Sequence, residues 1–207
     1  MFVIPSAARN LCFIVTTSVY LSPAPYLKTA CTAYNTVMER RKKTIKIITA
    51  VALALTTVFI AAAATLCIMF PNKYVTELNA AADEFGLDRT LVRAVVWTES
   101  RFDARAVSDK GAIGLMQLMP DTLDECAAAL GLEGADGFDP ATSLRCGCYY
   151  LSLMSDKLKS ERAALMAYNA GEANARRFID GAEIFPETAG YLKKVEMAKT
   201  VYGLFDK

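Results

Sequence analysis

The sequence predicts an all-helical domain that follows one membrane-spanning helix. Residues 72–207 contain several segments with apolar residues at helical spacing, and no convincing alternating run that would predict a strand. Residues 47–70 carry no charge at all. A chain of 207 residues is long enough for one domain with a sizeable core and an appendage.

The uncharged segment 47–70 follows a basic cluster, Arg40-Arg41-Lys42-Lys43. Its length is that of a helix crossing a bilayer, and the basic cluster should remain in the cytoplasm, which places the rest of the chain outside. A cleaved signal peptide has the same charge order, but its apolar region is usually about 7 to 15 residues long. We therefore expect residues 38–71 to form an uncleaved, single-pass anchor in the cytoplasmic membrane.

Residues 1–37 give no indication of function. Pro23 and Pro25 should interrupt a helix there. Because Met38 opens a complete basic-then-apolar anchor, one hypothesis is that translation begins at Met38 and that the earlier residues are a misassigned start.

The charges divide unevenly along the chain. Residues 1–70 hold seven Lys and Arg against one acid, whereas residues 72–207 hold sixteen against twenty-one. The acidic part argues against nucleic acid as a partner. There is no histidine, and no glycine loop that would hold a phosphate, so no metal or other cofactor is expected.

Three cysteines, Cys126, Cys146 and Cys148, fall in the part expected outside the cell. A disulfide such as Cys126 with Cys146 could persist there. All three could equally be small buried apolar residues on helices.

Capping residues delimit the helices of residues 72–207. Gly86 can close the first in a left-handed conformation, and Asp88 can cap the second. Pro120 is suited to a first helical turn, and Asp139-Pro140 is a cap followed by a first-turn proline. The predicted helices are 74–85, 89–99, 120–130, 140–158, 160–169, 172–179 and 187–205.

Glu99 ends an apolar helical face that contains Val92, Val95 and Val96. A carboxyl group held against apolar neighbours has a raised pKa and can carry a proton near neutral pH. The alternative is that Glu99 is simply solvated at the end of its helix. Trp97 points to another side of this helix and is expected to pack.

Four motifs carry a resemblance to a known family. They are Glu99-Ser100, then Ser108 with Gly111-Ala112-x-Gly114-Leu115-Met116-Gln117-Leu118-Met119-Pro120, then Ala167-Tyr168-Asn169-Ala170-Gly171, then Glu187-Thr188-x-x-Tyr191. Residues 74–202 thereby resemble the catalytic domain of bacterial lytic transglycosylases of the soluble type (SLT domain). These are family 23 glycoside hydrolase relatives that share a lysozyme-like helical fold with goose-type lysozymes.

The resemblance implies a membrane-anchored peptidoglycan lytic transglycosylase. In that reaction Glu99 would be the sole catalytic acid and then base. It would cleave the β-1,4 bond between MurNAc and GlcNAc and leave a 1,6-anhydro-MurNAc end. Asp103 and Asp109 do not match family positions and are expected in a solvated loop.

The resemblance also implies the substrate-binding residues. Ser108 would contact the acetamido group of the sugar, and Met116 and Gln117 would line the saccharide groove, Gln117 with both a hydrogen-bond donor and an acceptor. Tyr168 and Asn169 would form the groove wall. By sequence alone Ser108 could instead form a turn, Met116 could be a core residue and Asn169 could cap a helix.

The resemblance further implies that Tyr191 directs its hydroxyl to Glu99, although its apolar stripe would also allow simple packing. Leu118 and Met119 are expected in the core. Two other functions remain open: a muramidase that hydrolyses the same bond, and a non-catalytic peptidoglycan-binding module. The sequence does not indicate protein partners.

Overall fold

The structure is a computed structural model that describes residues 25–205. Within that range the secondary structure is helical, apart from isolated bridges of Ile113 with Val107 and Leu118. This confirms the predicted all-helical class. The helices are α1 (Pro25–Met69), α2 (Val75–Glu84), α3 (Arg89–Ser100), α4 (Pro120–Ala129), α5 (Pro140–Leu158), α6 (Glu161–Ala170), α7 (Glu172–Ile179) and α8 (Pro186–Phe205).

Helix α1 is longer than the segment that the sequence predicted. Its part from Lys28 to Met69 is long and apolar enough to span a membrane by length and composition, with a mean hydropathy of 2.4 in its most apolar window. The side chains of that window are not buried, so α1 is not a core helix. Its first described residue is Pro25, one of the two prolines expected to interrupt a helix, and Pro23 lies outside the described part. Of the unassigned stretch 1–37, residues 1–24 lie outside the described part.

The contacts divide the chain into two units after Ala64. Residues from Thr65 group with the helical domain because Trp97 and Tyr202 hold the end of α1 and the residues after it. The indole Nε1 of Trp97 donates to the carbonyl oxygen of Met69 at 2.7 Å, and its ring stacks on Phe70 with centroids 4.7 Å apart. The hydroxyl of Tyr202 donates to the carbonyl oxygen of Pro71 at 2.9 Å. The expected packing role of Trp97 is confirmed.

The predicted caps account for where the helices begin. The carboxylate of Asp88 accepts a hydrogen bond from the backbone nitrogen of Thr90 at 2.8 Å, and that of Asp139 accepts one from Thr142 at 2.9 Å. Gly86 has a φ of 64°, the left-handed conformation expected after α2. These caps fix α3 and α5, the two helices on which the site depends.

Cys126, Cys146 and Cys148 are free thiols with buried side chains. Burial raises the pKa of Cys126 and of Cys148 to about 12, so both remain protonated at neutral pH. The structure therefore agrees with the interpretation of these cysteines as small buried apolar residues.

At Gly114 the loop between α3 and α4 closely approaches the segment that precedes α5. This glycine has a φ of 77°, and a Cβ atom there would overlap the carbonyl oxygen of Gly137. Gly111 in the same loop has a φ of 87° but nothing within 4 Å of the position of a Cβ. Gly114 is thus required by its conformation and by space, whereas Gly111 is required only by its conformation.

We expect Gly114→Ala to lower the free energy of unfolding by at least about 3 kcal/mol, because it adds overlap to the strain of a left-handed alanine. Gly111→Ala, the matched control, should lower it by only about 1 to 2 kcal/mol. Urea unfolding of the detergent-solubilised chain, followed by the fluorescence of its one tryptophan, measures both. Equal losses for the two variants would contradict the close approach at Gly114.

Candidate active site

Glu99 is the penultimate residue of α3, which ends as Arg101 turns into a left-handed conformation. Val95 and Val96 on the same helix have no exposed surface, and Glu99 itself is partly exposed. Burial raises the pKa of Glu99 to about 7, an effect that the hydroxyl of Tyr191 partly opposes. The carboxyl group is therefore sheltered, as the apolar face predicted, yet it remains reachable from solvent.

Tyr191 lies on α8, which packs against α3. Its hydroxyl is buried and makes no hydrogen bond of ordinary length and angle within residues 25–205. It is still near enough to the carboxyl group to favour the charged form of Glu99. Burial, followed by the charge of Glu99, raises the pKa of Tyr191 far above its usual range, so the phenol keeps its proton. The phenol is near Glu99, and its role in the reaction stays a prediction.

Tyr168, on α6, approaches Glu99 as well. Burial raises the pKa of its phenol well above the usual value, and the nearby charge of Glu99 adds to the effect. The hydroxyl donates to the backbone carbonyl oxygen of Met116 at 2.7 Å. Two phenols from different helices, Tyr168 and Tyr191, therefore lie close to the one acid.

Met116 and Met119 differ from the expectations drawn from the sequence. Met116, expected to line the groove, is fully buried, so its side chain cannot reach a saccharide in this conformation. Met119, expected in the core, is 44% exposed where α4 begins. The physical reason lies between them, since Gln117 adopts a left-handed conformation with a φ of 48°. The chain reverses direction there, and no helical or strand period applies.

Gln117 directs its amide nitrogen at the backbone. The nitrogen donates to the carbonyl oxygens of Ala106 at 3.1 Å and Gly114 at 3.0 Å. An amide group has two N–H donors, and both are used here. The expected donor to a sugar hydroxyl is thus committed to the fold, and Oε1 is the atom left to accept from a ligand.

Ser108 and Asn169 make no direct contact with Glu99 through a hydrogen bond in residues 25–205. The hydroxyl of Ser108 accepts from the backbone nitrogen of Ala112 at 3.0 Å, which is the turn-forming role that the sequence also allowed. Asn169 is partly exposed and follows Tyr168 near the end of α6. Within residues 25–205 no hydrogen bond links either side chain to Glu99. Their contacts to a substrate stay predictions.

Ser100 is a contributor to which the sequence analysis assigned no role. Its hydroxyl is buried and donates to the carbonyl oxygens of Leu115 at 2.8 Å and Val96 at 3.1 Å. It therefore ties the end of α3 to the loop that carries Gln117. The sequence signal that could have identified Ser100 is its position beside Glu99 in the first motif.

A second carboxylate is not found beside Glu99 in the described part of the chain. Asp103 and Asp109 are both exposed, and Asp103 accepts from the backbone nitrogen of Arg105 at 2.9 Å within its loop. Only burial and Tyr191 shift the pKa of Glu99. Residues 25–205 also contain no group of three side chains placed to hold a metal ion. The site can therefore donate and accept a proton at one group, the carboxyl group of Glu99.

The helices and the sheltered acid define an all-helical domain with one candidate general acid. The chain belongs to the transglycosylase SLT domain family, whose model matches residues 77–188.

Two bacterial proteins show the similarity in sequence. The chain is 35% identical over 113 residues to membrane-bound lytic murein transglycosylase C of Histophilus somni, over 48% of this chain and 31% of that protein. It is 31% identical over 122 residues to the protein of the same name from Haemophilus influenzae, over 53% of this chain and 34% of that protein. The chain thus spans about a third of the length of these relatives.

Two solved structures show the similarity in fold. An inactive mutant of lytic transglycosylase Slt from Pseudomonas aeruginosa matches with a TM-score of 0.63 and 30% identity, over 67% of this chain and 25% of that one. The 70 kDa soluble lytic transglycosylase from Escherichia coli matches with a TM-score of 0.63 and 25% identity, over 68% of this chain and 25% of that one.

The raised pKa of Glu99 makes folding stability depend on pH. The folded pKa of about 7 lies above the unfolded value of 4.5. The stability that the protonated Glu99 carboxyl group contributes to the folded state is therefore fully present below about pH 4.5 and is lost as the pH rises through about 7. Glu99→Gln removes the charge, so we expect this variant to be more stable than the parent by about 2 to 3 kcal/mol at pH 8. Near pH 4 the two should be alike. Urea unfolding at both pH values measures the difference, and equal stability at pH 8 would show that the carboxyl group is solvated.

Proposed function

We propose that this chain is a membrane-anchored lytic transglycosylase that cleaves the β-1,4 bond between MurNAc and GlcNAc in peptidoglycan. The observation that carries the proposal is the carboxyl group of Glu99, whose pKa is raised to about 7 beside the phenol of Tyr191. Such a group is partly protonated and partly ionised at neutral pH, so it can serve as acid in one step and base in the next.

The reaction has two proton transfers at the same carboxyl group. Glu99 donates its proton to the glycosidic oxygen as the bond from that oxygen to C1 of MurNAc breaks. The C6 hydroxyl of the same MurNAc then attacks C1, and Glu99 takes the hydroxyl proton. The products are a free GlcNAc hydroxyl and a 1,6-anhydro-MurNAc end, and no water is consumed.

Tyr191 would stabilise the ionised Glu99 carboxylate between the two proton transfers. After the first transfer the Glu99 carboxylate is charged in surroundings that disfavour the charge. The protonated phenol of Tyr191 can donate to that carboxylate, and a hydrogen bond to a charged group is worth about 1.5 to 3 kcal/mol. Tyr168, which lies near Glu99, and Oε1 of Gln117 would contact the sugar.

A hydrolase that uses two carboxylates is less well supported. Glycosidases of that kind place a second carboxyl group about 5 to 9.5 Å from the first. Within residues 25–205 only burial and the Tyr191 phenol perturb Glu99, and the nearest acids in sequence are exposed. The substrate would supply the nucleophile from its own C6 hydroxyl, and its acetamido group would steady the developing cation.

The membrane location rests on α1 and on the relatives. Two relatives are named as membrane-bound, and α1 is long and apolar enough to cross a bilayer. The basic cluster Arg40–Lys43 precedes the apolar part and would stay in the cytoplasm. We place the helical domain on the extracytoplasmic side, where peptidoglycan is found.

Glu99→Gln should abolish most cleavage of purified peptidoglycan, since it keeps the shape of the side chain and removes the proton. The expected loss is roughly 10²- to 10⁴-fold in turnover. Mass spectrometry of the products made by the parent chain should show 1,6-anhydro ends. Reducing ends would instead establish the muramidase, and cleavage by Glu99→Gln at the parent rate would remove Glu99 from the reaction.

Tyr191→Phe should lower turnover by roughly 10- to 100-fold, the value of a lost hydrogen bond to a charged group. Because the phenol lowers the pKa of Glu99, its removal should also move the alkaline limb of the pH–rate profile to higher pH. The pH–rate profiles of both chains, with circular dichroism as a control for folding, measure the two effects. Unchanged turnover and an unmoved limb would mean that Tyr191 only packs.

A further inference from the structure

The loop segment 114–117 is held by side chains from three helices. Its residue Leu115 offers a carbonyl oxygen to Ser100 of α3, and Met116 offers one to Tyr168 of α6. The third contact comes from α5, where the hydroxyl of Ser143 accepts from the backbone nitrogen of Met116 at 3.2 Å. Ser100 and Tyr168 belong to the motifs noted in the sequence, whereas Ser143 does not.

Ser143 is a polar residue in the core, with 1% of its surface exposed. A buried hydroxyl is costly unless it is hydrogen-bonded. Among the described residues Ser143 is the acceptor of the Met116 N–H, which is itself buried. Removing the hydroxyl would leave a buried donor unbonded, a loss of about 1 to 3 kcal/mol.

Gly147 lies four residues after Ser143, on the same face of α5. A Cβ atom at Gly147 would come within 2.6 Å of the Cβ and Cγ atoms of Met116. The side chain of Met116 therefore fills the space that Gly147 leaves open. Ser143 and Gly147 together form a seat for Met116, which we call the Met116 seat.

The Met116 seat adjoins two groups that the proposed reaction uses. The carbonyl oxygen of Met116 receives the hydroxyl of Tyr168, which lies near Glu99. The next residue, Gln117, has a left-handed φ of 48°, a conformation that persists only where its surroundings over-determine it. The hydrogen bond from the Met116 amide to Ser143 lies directly before this residue.

We propose that Ser143 is a positioning residue: its hydrogen bond to the Met116 amide fixes Tyr168 and Gln117 in the geometry that the reaction at Glu99 requires. This inference rests on the proposed function. Ser143 does not touch the substrate, and it acts through the backbone of Met116.

The test compares Ser143→Ala with Ser152→Ala in the full chain. Ser152 lies on the same helix and its hydroxyl donates to the carbonyl oxygen of Phe85 at 3.2 Å, so the control removes the same chemical group away from segment 114–117. Both variants are assayed on purified peptidoglycan at a temperature where both are folded. Hydrogen exchange of the Met116 amide is measured in parallel.

We expect Ser143→Ala to lower kcat about tenfold, because small misplacements of groups at a reaction centre are costly, and to speed exchange of the Met116 amide. Ser152→Ala should change neither. Ser143→Thr keeps the oxygen acceptor and should restore slow exchange, which provides a second variant if Ser143→Ala folds poorly.

Two results would overturn the inference: Ser143→Ala with the turnover of the parent, or equal losses of turnover in Ser143→Ala and Ser152→Ala. Failure of the proposed function has a different signature, since the parent would then release no 1,6-anhydro ends, or Glu99→Gln would cleave like the parent. In that case the exchange of the Met116 amide would still report whether Ser143 holds the loop.

Discussion

The loss of solvation at the Glu99 carboxyl group is the constraint on which the rest of the site depends. Helix α3 brings this carboxyl group to the end of a face whose residues Val95 and Val96 have no exposed surface. Packing of α8 against α3 adds Tyr191, whose phenol lies near the carboxyl group. The result is an acid with a pKa of about 7. This raised pKa lowers the free energy of unfolding at neutral pH. Buried apolar surface on α3 and α8 offsets that loss.

The opposite side of the site is built from irregular backbone, which requires a different kind of support. Segment 114–117 has few partners in regular structure, yet its buried N–H and C=O groups need hydrogen bonds. Side chains supply them, from Ser100, Ser143 and Tyr168. Each comes from a different helix, so the packing of the helices determines where the loop lies relative to Glu99.

Sequence reasoning found the elements whose signals are local. Asp88 and Asp139 cap helices as predicted, and the apolar stripe before Glu99 correctly predicted a sheltered acid. It failed for Met119, because the left-handed Gln117 before it breaks any period, whereas the buried Met116 fits the core position that the sequence allowed and not the groove position that the resemblance implied. The donors of Gln117 were also misjudged, since their backbone partner at Ala106 is eleven residues away in sequence and meets them only in the fold.

A reaction with one carboxyl group places most of its demands on geometry. A glycosidase with two carboxylates has a second charge to stabilise the cation or activate water. Here the nucleophile and the stabilising group would both belong to the substrate, so catalysis depends on how the sugar is oriented against Glu99. The proposed positioning role of Ser143 would meet that requirement, since Ser143 and Gly147 contact the backbone and the side chain of Met116. In the proposed reaction the chemical group is one carboxyl, and the rest of the site would hold the glycan strand in position against it.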